Sequence, residues 1–213
     1  MTVNTIALFG ATGKTGSIFM RKALESGLKV QALVRSPEKI KAPPENLRVI
    51  KGDVLDRSTV AETVEGTDMV VSLFGHVKGS PARLQTDGTL NIIKAMQENG
   101  QKRIISLSGG GLPYPEKDQP KFGDKMIRGI MKIAVPKILE DAIDHHRVLK
   151  ESDLDWMIIR GPRLTDEPEK GDYRVGWVGV NASTKIGRAD LADFILKQVK
   201  NWEFSREMPF VSY

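Results

Sequence analysis

The chain has 213 residues, of which 40% are hydrophobic and 28% charged, an ordinary balance for a protein that buries a core. It has no cysteine and three histidines, which excludes disulfides, thiolate metal sites and cysteine nucleophiles and argues against a histidine-built metal site. The net charge of +5 is spread along the chain without a long basic run, so it suits anionic small ligands, and nucleic acid is not a predicted partner.

The first residues, MTVNTIALF, lack the basic head, apolar block and cleavage site of a secretion signal. No apolar run approaches the ~20 residues that a membrane-spanning helix needs. We therefore expect a cytoplasmic location, no membrane partner and a single domain over residues 1–213. The sequence leaves the oligomeric state open between monomer and dimer.

Strands and helices alternate from the start of the chain. Short apolar segments predict strands, and the segments between them have helical spacing. The predicted strands are Thr5–Phe9, Val30–Val34, Leu47–Ile50, Asp68–Phe74 and Arg103–Ser108. The predicted helices contain Phe19–Leu24, Thr59–Val64 and Leu84–Gln97. Continuous apolar strands separated by helices indicate an α/β protein with a doubly wound parallel sheet, that is, a Rossmann fold.

After Ser108 the alternation breaks. The segment Gly109–Lys125 is rich in glycine, proline and charge, and it predicts a long loop of the kind that often serves as an active-site lid. A helix near Leu139–Lys150, a strand at Asp155–Arg160, an edge-strand region and a last helix near Ala189–Lys200 follow. This part predicts a small C-terminal extension on the substrate side of the sheet.

The tripeptide Gly13-Lys14-Thr15 raises the question of a triphosphate-binding P-loop. That motif requires a glycine five residues before Gly13, and Leu8 stands there, inside the predicted strand. The spacing therefore excludes the triphosphate motif.

Three glycines between the first strand and the first helix fit a dinucleotide-binding turn instead. Gly10 would make the tight turn, Gly13 would let the backbone approach a pyrophosphate, and Gly16 would let the helix pack closely on the sheet. Amide groups at the helix start would then face the phosphates. Additional hydroxyl and ammonium donors are predicted at Thr12, Lys14 and Thr15.

The end of the second predicted strand indicates which dinucleotide binds. A site for NAD typically has a carboxylate there to accept from the ribose 2′-OH, but this chain has Arg35. A guanidinium suits a 2′-phosphate, which predicts NADP(H) as the cofactor. Ser36, Lys39 and Lys14 are predicted to assist. The alternative is that Arg35 is a solvated surface residue.

The ends of the third and fourth predicted strands supply the adenosine side. Asp53 is predicted to bond the adenine amino group and Val54 to pack on the ring, although Asp53 or Asp56 is also a candidate helix cap. The residues predicted to line the ribose side are Leu73, Phe74 and Gly75. We expect His76 to be a solvent-facing loop residue.

Candidate catalytic residues are few. Ser106 and Ser108 share one face of the fifth predicted strand, and the Ser108 hydroxyl would reach the nicotinamide or a substrate carbonyl. The alternative is a strand-end serine that bonds its own backbone. The second candidate is His146, for which a surface pair with His145 is the alternative. No Tyr-x-x-x-Lys pair is present, which disfavours an ordinary alcohol dehydrogenase.

Six segments occur in order across nearly the whole chain: GATGKTG, ALVRSPEK, GDVLD, RIISLSGGG, HHRVLKESDLDWMIIRGPRLTD and STKIGRADLADFIL. Together they resemble the atypical short-chain dehydrogenase/reductase group of NAD(P)H-binding proteins, and most of all its NADPH-dependent flavin reductase branch, also called biliverdin reductase B. The resemblance implies a serine beside the nicotinamide at Ser108. It also implies that Gly161–Leu164 borders the nicotinamide. Pro162 and Arg163 of this segment, and Gly109 next to Ser108, are therefore cofactor-binding candidates.

These residues predict an NADPH-dependent reductase that transfers a hydride to a flat conjugated acceptor, which is a flavin, a quinone or a biliverdin-like molecule. The chain differs from the flavin reductase branch in two segments. The branch has proline, proline and histidine in place of Gly161, Pro162 and Arg163, and it has other residues in place of Gly109–Gly111. The acceptor is therefore left open. A non-catalytic NADP(H)-sensing regulator and a nucleotide-sugar epimerase or dehydratase are the alternatives. The predicted partner is thus a small-molecule acceptor, and no metal is predicted.

Overall fold

The computed structural model describes residues 3–213, so the first two residues of the predicted domain lie outside the described part. The strands are β1 (Thr5–Phe9), β2 (Lys29–Val34), β3 (Leu47–Lys51), β4 (Met69–Ser72), β5 (Arg103–Gly109), β6 (Asp155–Gly161), β7 (Arg163–Thr165), β8 (Arg174–Gly176), β9 (Lys185–Gly187) and β10 (Phe210–Ser212). The α-helices are α1 (Lys14–Glu25), α2 (Arg57–Val64), α3 (Leu84–Asn99), α4 (Phe122–Ala134), α5 (Pro136–Glu151) and α6 (Arg188–Lys200). A short 3-10 helix covers Pro37–Lys39.

The main sheet has eight strands in the order β3-β2-β1-β4-β5-β6-β10-β8. Neighbouring strands from β3 to β10 are parallel, whereas β8 at the edge is antiparallel to β10. The order reverses between β1 and β4, which is the doubly wound arrangement of a Rossmann fold, so the predicted fold class is confirmed. Ligands of such sheets bind beyond the carboxyl ends of the strands at this reversal.

The sheet is buried on both faces. In β1, Ile6 and Leu8 belong to one hydrophobic core, and Ala7 and Phe9 belong to a second core on the other face. Helices α1 and α6 pack together, as do α2 with α3 and α3 with α5. Because each strand residue meets a core on one side or the other, the strands read as continuous apolar runs.

The largest difference from the predicted elements lies after β5. The segment Gly109–Lys125 is irregular only as far as Lys121, and Phe122–Ala134 forms α4, which the sequence did not predict. Glycines at positions 123 and 129 weaken the helical signal, because glycine is a poor helix former.

A buried ion pair fastens the first half of this segment to β6. Arg160 is fully buried, and its guanidinium donates to both carboxylate oxygens of Asp118, at 2.8 and 2.9 Å. It also donates to the Leu112 carbonyl at 2.9 Å, and Asp118 accepts the Tyr114 N–H at 2.8 Å. These bonds fix residues 112–118, so the part of the segment free to act as a lid is shorter than predicted.

The chain beyond β6 forms the small C-terminal extension. Strands β7 and β9 make a separate parallel pair, while β8 joins the main sheet through β10. Because β7 begins at Arg163, directly after β6 ends at Gly161, the extension lies at the carboxyl edge of the sheet. Within residues 3–213, no helix combines the length and the apolar composition needed to cross a bilayer.

Candidate functional site

The glycine turn after β1 is shaped by close backbone contacts. Gly10 has φ +86°, and a Cβ there would lie 2.5 Å from the backbone nitrogen of Phe74. A Cβ on Gly16 would lie 2.0 Å from the Gly10 carbonyl oxygen, so only glycine lets α1 begin this close to the turn. At Gly13 the nearest atom would be 3.2 Å away. The fold itself therefore requires Gly10 and Gly16, whereas the missing side chain of Gly13 fits the close approach of a ligand.

The amino end of α1 presents unused backbone donors. No side chain caps this helix, and its first turn has no acidic residue. Among the described residues, the backbone N–H groups of Lys14, Thr15 and Gly16 have no acceptor. Free amides together with the positive end of the helix dipole favour an anion at this position.

A cavity of about 380 Å³, which we call the crevice cavity, lies at the strand reversal. It brings together nine of the predicted cofactor residues: Gly10, Thr12, Gly13, Arg35, Asp53, Val54, Leu73, Phe74 and Gly75. Because β4 ends at Ser72, earlier than predicted, Leu73 and Phe74 belong to the loop that lines this cavity. The Lys14 ammonium lies 3.5 Å from Asp166 of the C-terminal extension, and Thr15 is buried in α1.

Two cations line the crevice cavity at the end of β2. Arg35 follows directly after the strand and is exposed, and Lys39 ends the 3-10 helix. Neither side chain has an ion pair or a hydrogen bond with any residue from 3 to 213. Two positive groups that share a cavity and form no ion pair among the described residues favour an anionic ligand there.

The two carboxylates near the start of α2 have different roles. Asp56 caps the helix, because its Oδ1 accepts the N–H of Ser58 at 2.9 Å. Asp53 lines the crevice cavity, and its Oδ1 accepts the N–H of Leu55 at 2.9 Å. The helix-cap alternative therefore applies to Asp56, and Asp53 Oδ2 is available to a ligand.

His76 does not face solvent as expected. Its side chain is 10% exposed and lines the crevice cavity, and Nε2 donates to Asp141 Oδ2 at 2.6 Å. The buried Asp141 also accepts the N–H groups of Gln85 and Thr86 and the Thr86 hydroxyl. Burial by itself raises the pKa of Asp141, but these hydrogen bonds together lower it below its usual range. No local pattern reveals this pair, since the two partners are 65 residues apart.

Ser108 has the property expected of a ligand-binding serine. Its hydroxyl is buried in β5 and has no hydrogen-bond partner among the described residues. Such an unpaired group costs free energy that a bound ligand would recover. Ser106 lies on the same face of β5, but its Oγ is 2.9 Å from Nε2 of His145. Ser108 is therefore the serine whose hydroxyl is left unpaired, but it is not itself among the residues that line a cavity at this edge of the sheet.

The adjacent histidines of α5 point in different directions, because successive helix residues are about 100° apart. His145 is buried, and desolvation lowers its pKa to about 4, so the ring is neutral at neutral pH. His146 is half-buried with its ring edge-on to Trp156, the centroids 5.4 Å apart, and desolvation lowers its pKa as well. It lines neither cavity of the site, so the predicted catalytic role of His146 has no support from its position.

A second cavity of about 340 Å³, which we call the strand-end cavity, lies at the carboxyl ends of β5 and β6. The predicted residues Gly109, Pro162 and Arg163 line it. Its apolar wall comes from Ile127, Met131, Val178 and Phe210, of which the first two belong to α4 and were missed in the sequence. Gly110 is tightly packed, since a Cβ there would lie 2.8 Å from the Phe210 ring, whereas a Cβ on Gly109 would meet nothing within 4 Å.

Two guanidinium groups belong to the lining of the strand-end cavity. Arg163 is exposed, and within residues 3–213 its side chain has no ion pair. Arg128 of α4 lies 3.7 Å from Asp118, and Asp124 is the acidic residue of the lining. An apolar wall bordered by an unpaired guanidinium suits a flat ligand that has an anionic substituent.

Other catalytic machinery is limited in the described chain. Over residues 3–213, no group of three or more His, Asp or Glu side chains has the arrangement of a metal site. The Lys197 ammonium does donate to the Tyr173 hydroxyl at 3.0 Å, but that hydroxyl donates to Asp193 and none of the three residues lines either cavity. The tyrosine–lysine pair of ordinary dehydrogenases is thus not assembled at the site from distant residues.

Known proteins are similar to this chain in sequence and in fold. Residues 10–201 match the family described as NAD(P)H-binding. The structure is similar to a short-chain dehydrogenase/reductase of Veillonella parvula in complex with NADP, with a TM-score of 0.83 and 18% identity over 100% of this chain and 95% of that one. It is also similar to ChuY, an anaerobillin reductase of Escherichia coli O157:H7, with a TM-score of 0.78 and 20% identity over 98% and 97% of the two chains.

A curated relative in Mycobacterium tuberculosis, an uncharacterised protein, is 32% identical over 112 residues. This match covers 53% of the present chain but 13% of that protein, so the chain spans a small part of the relative's length.

Proposed function

Since the chain belongs to the NAD(P)H-binding family, we propose that it is an NADPH-dependent reductase that transfers a hydride to a flat conjugated acceptor, such as a flavin, a quinone or a biliverdin-like molecule. One observation carries the proposal: two cavities of different chemistry lie along one edge of the sheet, with the unpaired hydroxyl of Ser108 on the strand between them. The crevice cavity is cationic, and the strand-end cavity is apolar.

The residues of the crevice cavity suit the phosphates of a dinucleotide. The free amides of Lys14, Thr15 and Gly16 would hold the pyrophosphate, and the close packing at Gly10 and Gly16 would keep these amides in place. Arg35, assisted by Lys39, would hold the 2′-phosphate of NADP. The absence of a carboxylate directly after β2 favours NADP over NAD.

The strand-end cavity suits the acceptor. Bound NADPH would supply the hydride, and the chain would supply orientation and exclusion of water. Ser108 would donate a hydrogen bond to the nicotinamide amide or to the acceptor, while Met131 and Phe210 would pack on a flat ring. A reduced flavin or quinone takes its proton from water, so the mechanism needs no proton donor at His146.

The reductase class also agrees with the relatives. ChuY is described as an anaerobillin reductase, and the Veillonella structure was solved with NADP. The epimerase alternative loses support from the missing tyrosine–lysine pair at the site. The non-catalytic alternative differs from the reductase only in turnover, so a measurement of turnover separates the two.

The cofactor assignment is tested by measuring the Kd of NADPH and of NADH by titration. We expect NADPH to bind more tightly, and Arg35→Ala to weaken NADPH about 10–100-fold because a charge-assisted contact to the 2′-phosphate is lost. NADH binding should not change. The matched control is Lys29→Ala, an exposed cation at the opposite end of β2, which should affect neither cofactor. Equal affinity for both cofactors in the wild type, unaltered by Arg35→Ala, would rule out the NADP assignment.

The reductase assignment is tested by stopped-flow oxidation of NADPH with FMN, a benzoquinone and biliverdin. We expect one or more of these acceptors to be reduced faster than in the free reaction, and Ser108→Ala to lower kcat about 10–100-fold with NADPH affinity retained. Tight NADPH binding without acceleration for any acceptor would instead support the sensor alternative.

A further inference from the structure

Helix α4 has its apolar side turned away from the protein. The residues on its inner side are partly covered and mixed in character, namely Asp124, Arg128 and Met131. Its outward side carries Phe122, Met126, Ile130 and Ile133, and the side chains of Phe122 and Ile133 are 84% and 86% exposed. A helix of a globular protein normally buries its apolar stripe, so this reversed orientation indicates a surface that something else covers.

Positive charge borders the apolar side. Residues 121–137 contain five basic residues and one acid, Asp124, whose carboxylate accepts the N–H of Lys121 at the start of the helix. Among the described residues, none of the four lysines at positions 121, 125, 132 and 137 has an ion pair. Lys125 and Lys132 are seven residues, or about two turns, apart, which places both on one flank of the apolar stripe.

The charge distribution argues against a second copy of this chain as the occupant. In a symmetric dimer the same patch meets itself, so the unpaired lysines of one α4 would face those of the other. A basic helix with protruding Phe, Ile and Met side chains is the pattern of a helix that lies in the interface of an anionic membrane.

We infer that α4 docks this protein on anionic lipid surfaces, with Phe122 and Ile133 inserted among the acyl chains and the flanking lysines against the headgroups. Gly123 and Gly129 weaken the helix in water, so lipid contact would also stabilise it. A helix of 13 residues is too short to span a bilayer, so this role concerns the membrane surface only. Docking on a lipid surface differs from the prediction of no membrane partner, because that prediction considered only membrane-spanning segments. The inference does not depend on the proposed function.

The test is co-sedimentation of the full chain with vesicles of phosphatidylcholine alone and with vesicles in which about a third of the lipid is phosphatidylglycerol, each at low and high salt. We expect binding to the anionic vesicles only, and weaker binding at high salt. Lys125→Glu/Lys132→Glu should reduce partitioning at least about 30-fold, because each cation near an anionic surface strengthens binding about fivefold. Phe122→Ser/Ile133→Ser should reduce it about 100-fold by removing the buried apolar area.

Matched control variants change the same chemistry elsewhere. Lys29→Glu/Lys200→Glu reverses two exposed lysines on other elements, and Leu90→Ser removes a half-exposed leucine from α3. These variants should bind anionic vesicles like the wild type. All variants should retain the circular dichroism spectrum and the urea midpoint of the wild type, which shows that they fold.

Three results would overturn the inference. The first is no binding to anionic vesicles at low salt. The second is binding to neutral vesicles that is as strong as binding to anionic vesicles and that Lys125→Glu/Lys132→Glu does not change. The third is a dimer in sedimentation equilibrium that Phe122→Ser/Ile133→Ser dissociates, because a second copy would then cover the stripe.

Discussion

The crevice cavity and the strand-end cavity differ in how far apart their residues lie along the chain. The crevice is lined by the segments that follow β1, β2, β3 and β4, all within residues 9–84, and in the first of them Gly10 and Gly16 leave no room for a Cβ while the start of α1 presents free amides. The strand-end cavity is assembled from the ends of β5 and β6, from α4 and from the C-terminal extension, and the buried pair Asp118–Arg160 holds the β5 side to β6. The cofactor side is thus specified locally in the sense that short strand-end segments of the first 84 residues suffice, whereas the acceptor side depends on contacts between segments spread over residues 109–210.

The largest expected effect comes from breaking the long-range side. Asp118→Ala leaves Arg160 buried without a counter-ion, which should lower the free energy of unfolding by about 3–5 kcal/mol. If the crevice is specified locally, the folded variant should bind NADPH within about twofold of the wild type while its KM for the acceptor rises several-fold. Urea denaturation, NADPH titration and steady-state kinetics measure these quantities.

The control for this variant is Asp87→Ala, which removes an exposed carboxylate of α3. That carboxylate lies 3.4 Å from Arg83, the residue just before the helix. An exposed pair of this kind contributes about 0.5 kcal/mol or less, so its removal should have little effect on unfolding. A parallel loss of NADPH affinity and acceptor binding in Asp118→Ala would show that the two cavities are not independent.

Strand β5 lies between the two cavities. A histidine buried against this strand makes the free energy of unfolding depend on pH. His145 beside Ser106 has its pKa lowered to about 4 from an ordinary value of 6.5 by burial. Between these values the unfolded chain binds a proton that the folded chain does not, so stability is lost as the pH falls. The loss from His145 should reach about 3 kcal/mol near pH 4.

Urea denaturation at several pH values checks this loss. His145→Gln should flatten the dependence, whereas His146→Gln, at a ring that is half-buried, should leave most of it. An unchanged slope in His145→Gln would mean that other groups cause the acid sensitivity.

The site residues that could be predicted from the sequence belong mostly to the crevice cavity. The residues of the glycine turn, Arg35 and Asp53 all lie in or beside the crevice, because strand-end positions in a parallel sheet are readable from short apolar runs. The pairing of His76 with Asp141 could not be predicted, since it depends on how α5 packs against the start of α3. Helix α4 was missed because its glycines and charges resemble a loop.

Steric crowding in the glycine turn gives the next largest effect and separates the two roles proposed for its glycines. Gly16→Ala would place a Cβ 2.0 Å from the Gly10 oxygen, so it should lower the free energy of unfolding by about 1–3 kcal/mol. Gly13→Ala meets its nearest atom at 3.2 Å and should cost less than about 1 kcal/mol. It should nevertheless weaken NADPH binding about tenfold, because the methyl group would occupy the position of the pyrophosphate.

Thermal unfolding and NADPH titration of the two variants separate the structural role of Gly16 from the ligand-binding role of Gly13. The titrations are compared at a temperature at which both variants are folded to the same extent. The reverse pattern, in which Gly13→Ala unfolds the protein and retains NADPH affinity, would contradict the assignment of the turn.

The smallest expected effect concerns Arg163, the unpaired guanidinium of the strand-end cavity. If it binds an anionic substituent of the acceptor, Arg163→Ala should raise the KM for FMN about tenfold, which corresponds to about 1.4 kcal/mol for a charge-assisted contact. Riboflavin has the same ring without the phosphate, so its KM should not change, and kcat should be retained with both acceptors. Arg174→Ala is not a suitable control, because Arg174 bonds the backbone at Tyr213. Lys170→Ala, on the same extension but outside both cavities, should change neither KM. An equal rise for FMN and riboflavin would show that Arg163 shapes the cavity without recognising charge, and the acceptor side would then select its ligand by shape alone.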